Sequence, residues 1–140
     1  MTYKTLISFA LKASEFAYAP YSNFAVGTAL LCKDGTVYTG CNVENASFGA
    51  GICAERVALC KAVSEGKREF SVLAVAAQSE TYCTPCGLCR QMFWEFSKEL
   101  LVLCGKKDGE FVTYSLQELL PHAFGQEDFT AHKGENCRTD

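Results

Sequence analysis

Apolar side chains recur at helical spacing near the start of the chain. Leu6, Phe9, Ala10, Ala13, Phe16 and Ala17 fall three and four apart, which predicts an amphipathic helix before Pro20 breaks the pattern in "AYAPYSNF". The period then changes. "AVGTALLC" (25–32) and "TVYTGCNV" (36–43) flank "KDG", and an Asp-Gly pair between two such runs predicts a hairpin of antiparallel strands. "CAERVALCKAVSEG" (53–66) returns to helical spacing, with Gly66 placed to take the left-handed conformation that ends helices. The uniformly apolar "FSVLAVAAQ" (70–78) predicts a strand buried on both faces. "CGLCRQMFWEFSK" (86–98) predicts a third helix with Pro85 at its entrance, where a missing N–H costs little. "LLVLC" (100–104), a second Asp-Gly turn at 108–109 and "EFVTYS" predict two further strands. Ser115 and Glu118 form a capping-box pattern for a last helix through Leu120, which Pro121 stops.

One helix, two hairpin strands and then alternating helix and strand predict an α/β fold. The expected architecture is a three-layer α/β/α sandwich around a mixed five-stranded sheet. At 140 residues, with 49% hydrophobic and 21% charged side chains, the chain can bury one core, and no Pro/Gly/Ser-rich stretch divides it. We therefore expect a single domain over residues 1–130, followed by the polar tail "AHKGENCRTD" over 131–140.

No apolar run approaches the roughly 20 residues of a membrane helix. "MTYKTLISFALKASEF" is interrupted by Lys4, Lys12 and Glu15 and reads as structure rather than as a signal. Nine cysteines, an odd count without a secretory signal, fit a reducing cytoplasmic setting in which thiols bind metal or fill the core. A formal net charge of −3 provides no general attraction to phosphate backbones, so neither a polynucleotide nor a membrane is expected as partner.

Cys83, Cys86 and Cys89 fall at steps of three in "CTPCGLC", and Pro85 separates them. The residue before a proline is pushed out of the helical region, which leaves Cys83 in an extended loop. Cys86 and Cys89 share the first helical turn, where free N–H groups and the macrodipole favour thiolate. A lone C-x-x-C serves metal binding and thiol redox chemistry alike. Cys32, Cys60 and Cys104 sit among apolar neighbours and are expected to pack as small hydrophobes. Cys60 also lies about 10 Å along the helix from Cys53, too far to share its metal. Cys41, Cys83 and Cys137 are loop or strand-end thiols without a role, and His122 and His132 lack ligand spacing. Cys53 is the remaining candidate for a third ligand; it converges with Glu55 only at the very start of the helix, where the "SFGAG" loop can deliver it.

Three thiolates and one open position describe a catalytic zinc centre. Water in the open position has its pKa lowered from about 15.7 toward roughly 7. Three thiolates also leave the centre with an excess negative charge, which a guanidinium hydrogen-bonded to the sulfurs offsets. Arg56 stands where it can do this, although spacing alone reads it as a solvated helix charge. Glu55 can take a proton from that water and hand it on, or simply favour the helix dipole as a first-turn glutamate.

"CAER" (53–56) with "PCGLC" (85–89) resembles the cytidine deaminase family, specifically its small homotetrameric zinc-dependent branch. The zinc deaminase signature pairs H-x-E with P-C-x-x-C and admits cysteine for histidine, the position Cys53 occupies. "PYSNFAVG" (20–27), "GCNVENASF" (40–48), "CGLCRQ" (86–91) and "ELLPHAFGQEDF" (118–129) follow in family order, so the likeness covers nearly the whole chain.

The resemblance implies one Zn2+ per chain on Cys53, Cys86 and Cys89, and hydrolytic deamination of cytidine and 2'-deoxycytidine, a pyrimidine salvage reaction that releases ammonia. Activated water would attack C4 while Glu55 protonates N3 and then the departing amino group. The Cys86 backbone N–H would face the attacking oxygen. By the same resemblance Asn42 and Glu44 hold the ribose hydroxyls, Phe24 and Ala54 line the nucleoside pocket, and Phe124 serves a neighbouring subunit's site. Residue by residue, Asn42 and Glu44 otherwise read as polar positions closing a strand, and Phe24 and Phe124 as core. Two positions depart from the family pattern: Phe48, where tyrosine is common, and Leu88, where a small residue is usual. A deaminase of free cytosine or of a cytosine-bearing antibiotic would not need the ribose contacts of Asn42 and Glu44.

Overall fold

Helix α1 (Tyr3–Ser14) starts where the Thr2 hydroxyl accepts a hydrogen bond from the Thr5 N–H at 3.1 Å. The computed structural model describes residues 1–129; His132, Cys137 and the expected polar tail lie outside the described residues. After α1 come β1 (Val26–Cys32), β2 (Val37–Cys41), a short 3-10 turn (Phe48–Ala50), α2 (Ala54–Ser64) and β3 (Phe70–Ala77). Then follow α3 (Gly87–Trp94), β4 (Leu101–Gly105), β5 (Phe111–Ser115) and α4 (Leu116–Leu119), the last held by the expected Ser115–Glu118 capping box.

The five strands form one sheet in the order β2-β1-β3-β4-β5. Only β3 and β4 run parallel, and the other three pairings are antiparallel. The long apolar run therefore lies in the middle, and its two faces serve different layers. Leu73, Val75 and Ala77 pack with Ala58, Leu59 and Phe93 on the side of α2 and α3. Val72, Ala74 and Ala76 pack with Leu6, Ile7 and Ala10 of α1 on the other side. Each Leu or Phe fully buried in these layers contributes roughly 1.5–3 kcal/mol relative to exposure. This is the expected three-layer sandwich with a mixed sheet.

Two close approaches set the helices on the sheet. A Cβ at Gly27 would fall 1.9 Å from the Ala10 carbonyl oxygen, so α1 sits directly on the β1 backbone. A Cβ at Gly40 would fall 2.6 Å from the Ala54 carbonyl oxygen, and the buried Thr28 hydroxyl donates to that same oxygen at 3.0 Å. Strands β1 and β2 thus seat the first turn of α2, the turn that carries Cys53 and Glu55.

Two expectations are corrected and a third is extended. Helix α1 ends at Ser14, not Ala17, and Phe16 is 80% exposed. The N–H groups of Glu15, Phe16 and Ala17 bond back three residues, tightening the last turn and rotating Phe16 off the buried face. Cys60 is exposed rather than in the core, because α2 buries Ala58, Leu59 and Ala62 and turns the position between them outward. Cys83 is a loop residue but buried, its N–H donating to the Gly105 carbonyl at 3.0 Å. Burial pushes the Cys83 thiol up to about 12 and the Cys104 thiol to about 11, so both stay protonated.

Candidate active site

Both helices that face this site begin with a cysteine. Cys53 is the N-cap of α2 and Cys86 the N-cap of α3, each in extended backbone (φ −72°, ψ 152° and φ −68°, ψ 167°), and Cys89 follows in the first turn of α3. Cys53 Sγ lies 3.6 Å from Cys86 Sγ, and Cys86 Sγ lies 3.4 Å from Cys89 Sγ. All three sulfurs fall within 4.8 Å of one another, and among the described residues no other Cys, His, Asp or Glu joins them. Tetrahedral zinc with Zn–S bonds near 2.3 Å spaces its sulfurs about 3.8 Å apart, so the set fits three corners of such a site.

The local field favours thiolate at Cys53. A hydrogen bond from Cys89, with further ones from Arg56 and Cys86, brings the Cys53 thiol down to about 5 against the opposing effect of burial. Cys89, fully buried and bonded to Cys53, is pushed the other way. Cys53 is therefore the first of this pair to give up its proton. Arg56 Nη2 reaches Cys53 Sγ at 3.9 Å.

Glu55 is only 4% exposed, and burial raises its pKa above the ordinary carboxylate value, with the charge of Cys53 acting in the same direction. A carboxyl so placed holds a proton more readily than an exposed one.

A second group of polar side chains is delivered beside the thiols by two short bridges. Val43 pairs with Ile52 through hydrogen bonds of 3.0 and 2.9 Å, which lays the segment holding Asn42 and Glu44 against the residue before Cys53. Tyr18 pairs with Val43 on the other side and aligns residues 21–24 with that segment. Glu44 Oε1 accepts the N–H groups of Tyr21 and Ser22 at 3.0 and 3.1 Å, and Oε2 accepts the Ser22 hydroxyl. The Ser22 bonds hold the Glu44 carboxyl below its ordinary pKa. Asn42 Oδ1 accepts the Val26 N–H at 2.9 Å, and Asn42 Nδ2 donates to the Phe24 carbonyl at 2.8 Å. Phe24 is exposed and Ala54 buried.

Phe124 does not pack in the core. It is 57% exposed and meets Phe129 edge to face at 5.4 Å, while its carbonyl accepts from Gln91 Nε2 at 2.8 Å. Phe48 is 81% exposed and meets Tyr21 at 5.9 Å; Leu88 also points to solvent.

Sequence reasoning did not single out Ser22, Thr28 or Arg90. Arg90 donates from Nε to the Pro85 carbonyl at 2.7 Å and from Nη1 to the Leu119 carbonyl at 2.8 Å, tying the loop before α3 to the end of α4. Ser22 and Arg90 lie inside the quoted blocks "PYSNFAVG" and "CGLCRQ", which was the only signal available for them.

Three converging thiols on two helix N-termini, with a buried carboxylate in the same first turn, define a zinc-dependent hydrolytic centre. Comparison with known proteins carries this further. Residues 1–104 match the cytidine and deoxycytidylate deaminase zinc-binding region. A cytidine deaminase of Sporosarcina psychrophila is 46% identical over 131 residues, covering 93% of this chain and 96% of its own. One from Halalkalibacterium halodurans is 47% identical over 129 residues, covering 91% and 98%. A crystal structure of cytidine deaminase from Burkholderia pseudomallei superposes with a TM-score of 0.85 at 48% identity, covering 89% of this chain and all of that one. The chain belongs to the cytidine deaminase family.

Proposed function

We propose that this protein hydrolyses cytidine and 2'-deoxycytidine to uridine and 2'-deoxyuridine with release of ammonia, as a step of pyrimidine salvage. The observation that carries this reading is the buried Glu55 in the same helical turn as Cys53, with Cys86 and Cys89 closing on it. Bound by these three thiolates, one zinc per chain supplies a Lewis acid and a water of lowered pKa.

The protein's own groups handle protons and orientation. Glu55 takes one proton from the attacking water and delivers it to N3 of the pyrimidine, then takes the second from the hydroxyl added at C4 and gives it to the departing amino group, so that water and an amidine become a carbonyl and ammonia. Its burial suits this, because desolvation raises its proton affinity above that of an exposed carboxylate. Arg56 offsets the excess negative charge of the thiolates through its contact with Cys53. The Cys86 N–H, at the start of α3, faces the oxygen that develops charge. Asn42 and Glu44 receive the sugar, and Phe24 and Ala54 flank the nucleoside.

We further propose a homotetramer in which Phe124 serves a neighbouring subunit. Exposed Phe16, Phe48, Phe124 and Phe129 support this, as does a cavity of about 350 Å³ lined by Phe9, Phe16 and Val57. The free state of all the described cysteines supports a cytoplasmic setting. A sheet shared by two apolar layers supports one domain over residues 1–130.

Metal analysis combined with ammonia release and ultraviolet absorbance on cytidine, 2'-deoxycytidine, cytosine and cytidine monophosphate tests the reading. The nucleosides are expected to be preferred, and preference for cytosine over cytidine overturns it.

A further inference from the structure

Ser22 touches two of the residues assigned to the nucleoside pocket and has no role in the reading above. Its hydroxyl donates to Glu44 Oε2 and accepts the Phe24 backbone N–H at 3.1 Å. The N–H groups of Tyr21 and Ser22 occupy Glu44 Oε1 at 3.0 and 3.1 Å. A carboxylate offers about four lone-pair sites, so these three bonds leave one acceptor site, on Oε2. Asn42 is partly committed as well: Oδ1 accepts the Val26 N–H and keeps one lone pair, and one Nδ2 proton goes to the Phe24 carbonyl, leaving one amide proton. The remaining Oε2 site can accept the proton of a sugar hydroxyl, and the remaining amide proton can be given to a sugar oxygen.

We propose that Ser22 is a positioning residue for sugar recognition: its hydroxyl fixes Glu44 Oε2 so that the remaining acceptor site meets a sugar hydroxyl, and it ties that carboxylate to Phe24. The terminal torsion of a glutamate is broad and roughly two-fold, so a carboxylate held on only one oxygen does not present the other in a set direction. The Ser22 hydroxyl removes that freedom. It also satisfies the Phe24 N–H, so the aromatic wall and the sugar acceptor share one anchor. This role rests on the nucleoside reading and deepens it.

The test compares Ser22→Ala, Ser22→Cys and Ser22→Thr with the wild-type zinc-loaded enzyme on cytidine, 2'-deoxycytidine and 2',3'-dideoxycytidine. Ser22→Ala is expected to raise KM for the first two substrates about tenfold while kcat changes little. The KM for the dideoxy compound, which lacks both ring hydroxyls of the sugar, is expected to stay as in the wild type. Ser22→Thr keeps the hydroxyl and is expected to restore KM; Ser22→Cys keeps the volume but donates weakly and is expected to behave as Ser22→Ala, so the comparison stands if the alanine variant does not fold. Equal loss on all three substrates, a fall in kcat alone, or no change overturns the role of Ser22 and leaves the nucleoside reading intact. A wild-type enzyme that deaminates none of the three defeats the nucleoside reading itself and this role with it.

Discussion

Arg56 Nη2 lies 3.9 Å from Cys53 Sγ, and the same guanidinium keeps its Nε buried without a hydrogen-bond partner among the described residues. An arginine held in this way is placed to act on the sulfur's charge. Arg56→Gln is expected to retain about one zinc per chain and to lose roughly 10–100-fold in kcat. Metal analysis alongside steady-state rates checks this; loss of zinc in step with activity would contradict the charge argument.

Glu55→Gln keeps the volume and polarity of the side chain but cannot carry the proton. Zinc content is expected to be unchanged while kcat falls at least ~100-fold. Full activity in this variant would remove Glu55 from the reaction.

The backbone approach at Gly27 makes a graded set of alanine substitutions informative. Gly27→Ala sets a Cβ against the Ala10 carbonyl, which cannot yield without moving α1, and is expected to cost at least ~3 kcal/mol. At Gly105 the nearest atom, 2.9 Å away, is the flexible end of Ile7, and a cost of about 1–2 kcal/mol is expected. Gly49 has nothing within 4 Å, so its substitution is expected to stay within about 0.5 kcal/mol. Denaturant unfolding of the three variants gives the order directly.

Lys67 Nζ lies 2.7 Å from Asp34 Oδ2 and, with the Thr36 N–H, holds the Asp34 carboxyl down to about 2 from its ordinary value of 3.8. A depressed carboxylate contributes stability above its unfolded pKa and loses it as the pH falls through the folded one. Asp34→Asn keeps the acceptor for Thr36 but removes the charge. The difference in urea midpoint from the wild type is expected to be small and constant from neutral pH to about 4, and to vanish by about pH 2. A difference that persists undiminished at pH 2 would rule out the ion pair as its source.

Sedimentation is expected to give four times the mass of the chain, and Phe124→Ala to lower kcat/KM without changing zinc content. A monomer with full activity would contradict the shared site.

Much of the fold was legible because its signals are local. The Asp-Gly pairs at 34–35 and 108–109 do carry glycines at φ 93° and 90°, and Gly66 takes φ 92° after α2. The capping box at Ser115 and the central place of the run at 70–77 follow from neighbours a few residues apart. Cys60 was misplaced because an apolar neighbourhood in sequence does not say which side of a helix faces the sheet. The end of α1 was misplaced because a tightened last turn leaves no mark on the spacing of apolar residues.

The order of elements, the thiols that stand at helix starts, and the family are legible along the chain alone, since helix period, proline constraint and motif spacing are properties of short segments. That Ser22, 22 residues before Glu44 in the chain, anchors its carboxylate, and that Thr28 and Gly40 seat the first turn of α2, are legible in the folded chain alone. Those relations depend on how the Tyr18–Val43 and Val43–Ile52 bridges bring distant segments together. A hydrogen bond between separated stretches is set by where the sheet places them, and no local pattern carries that information.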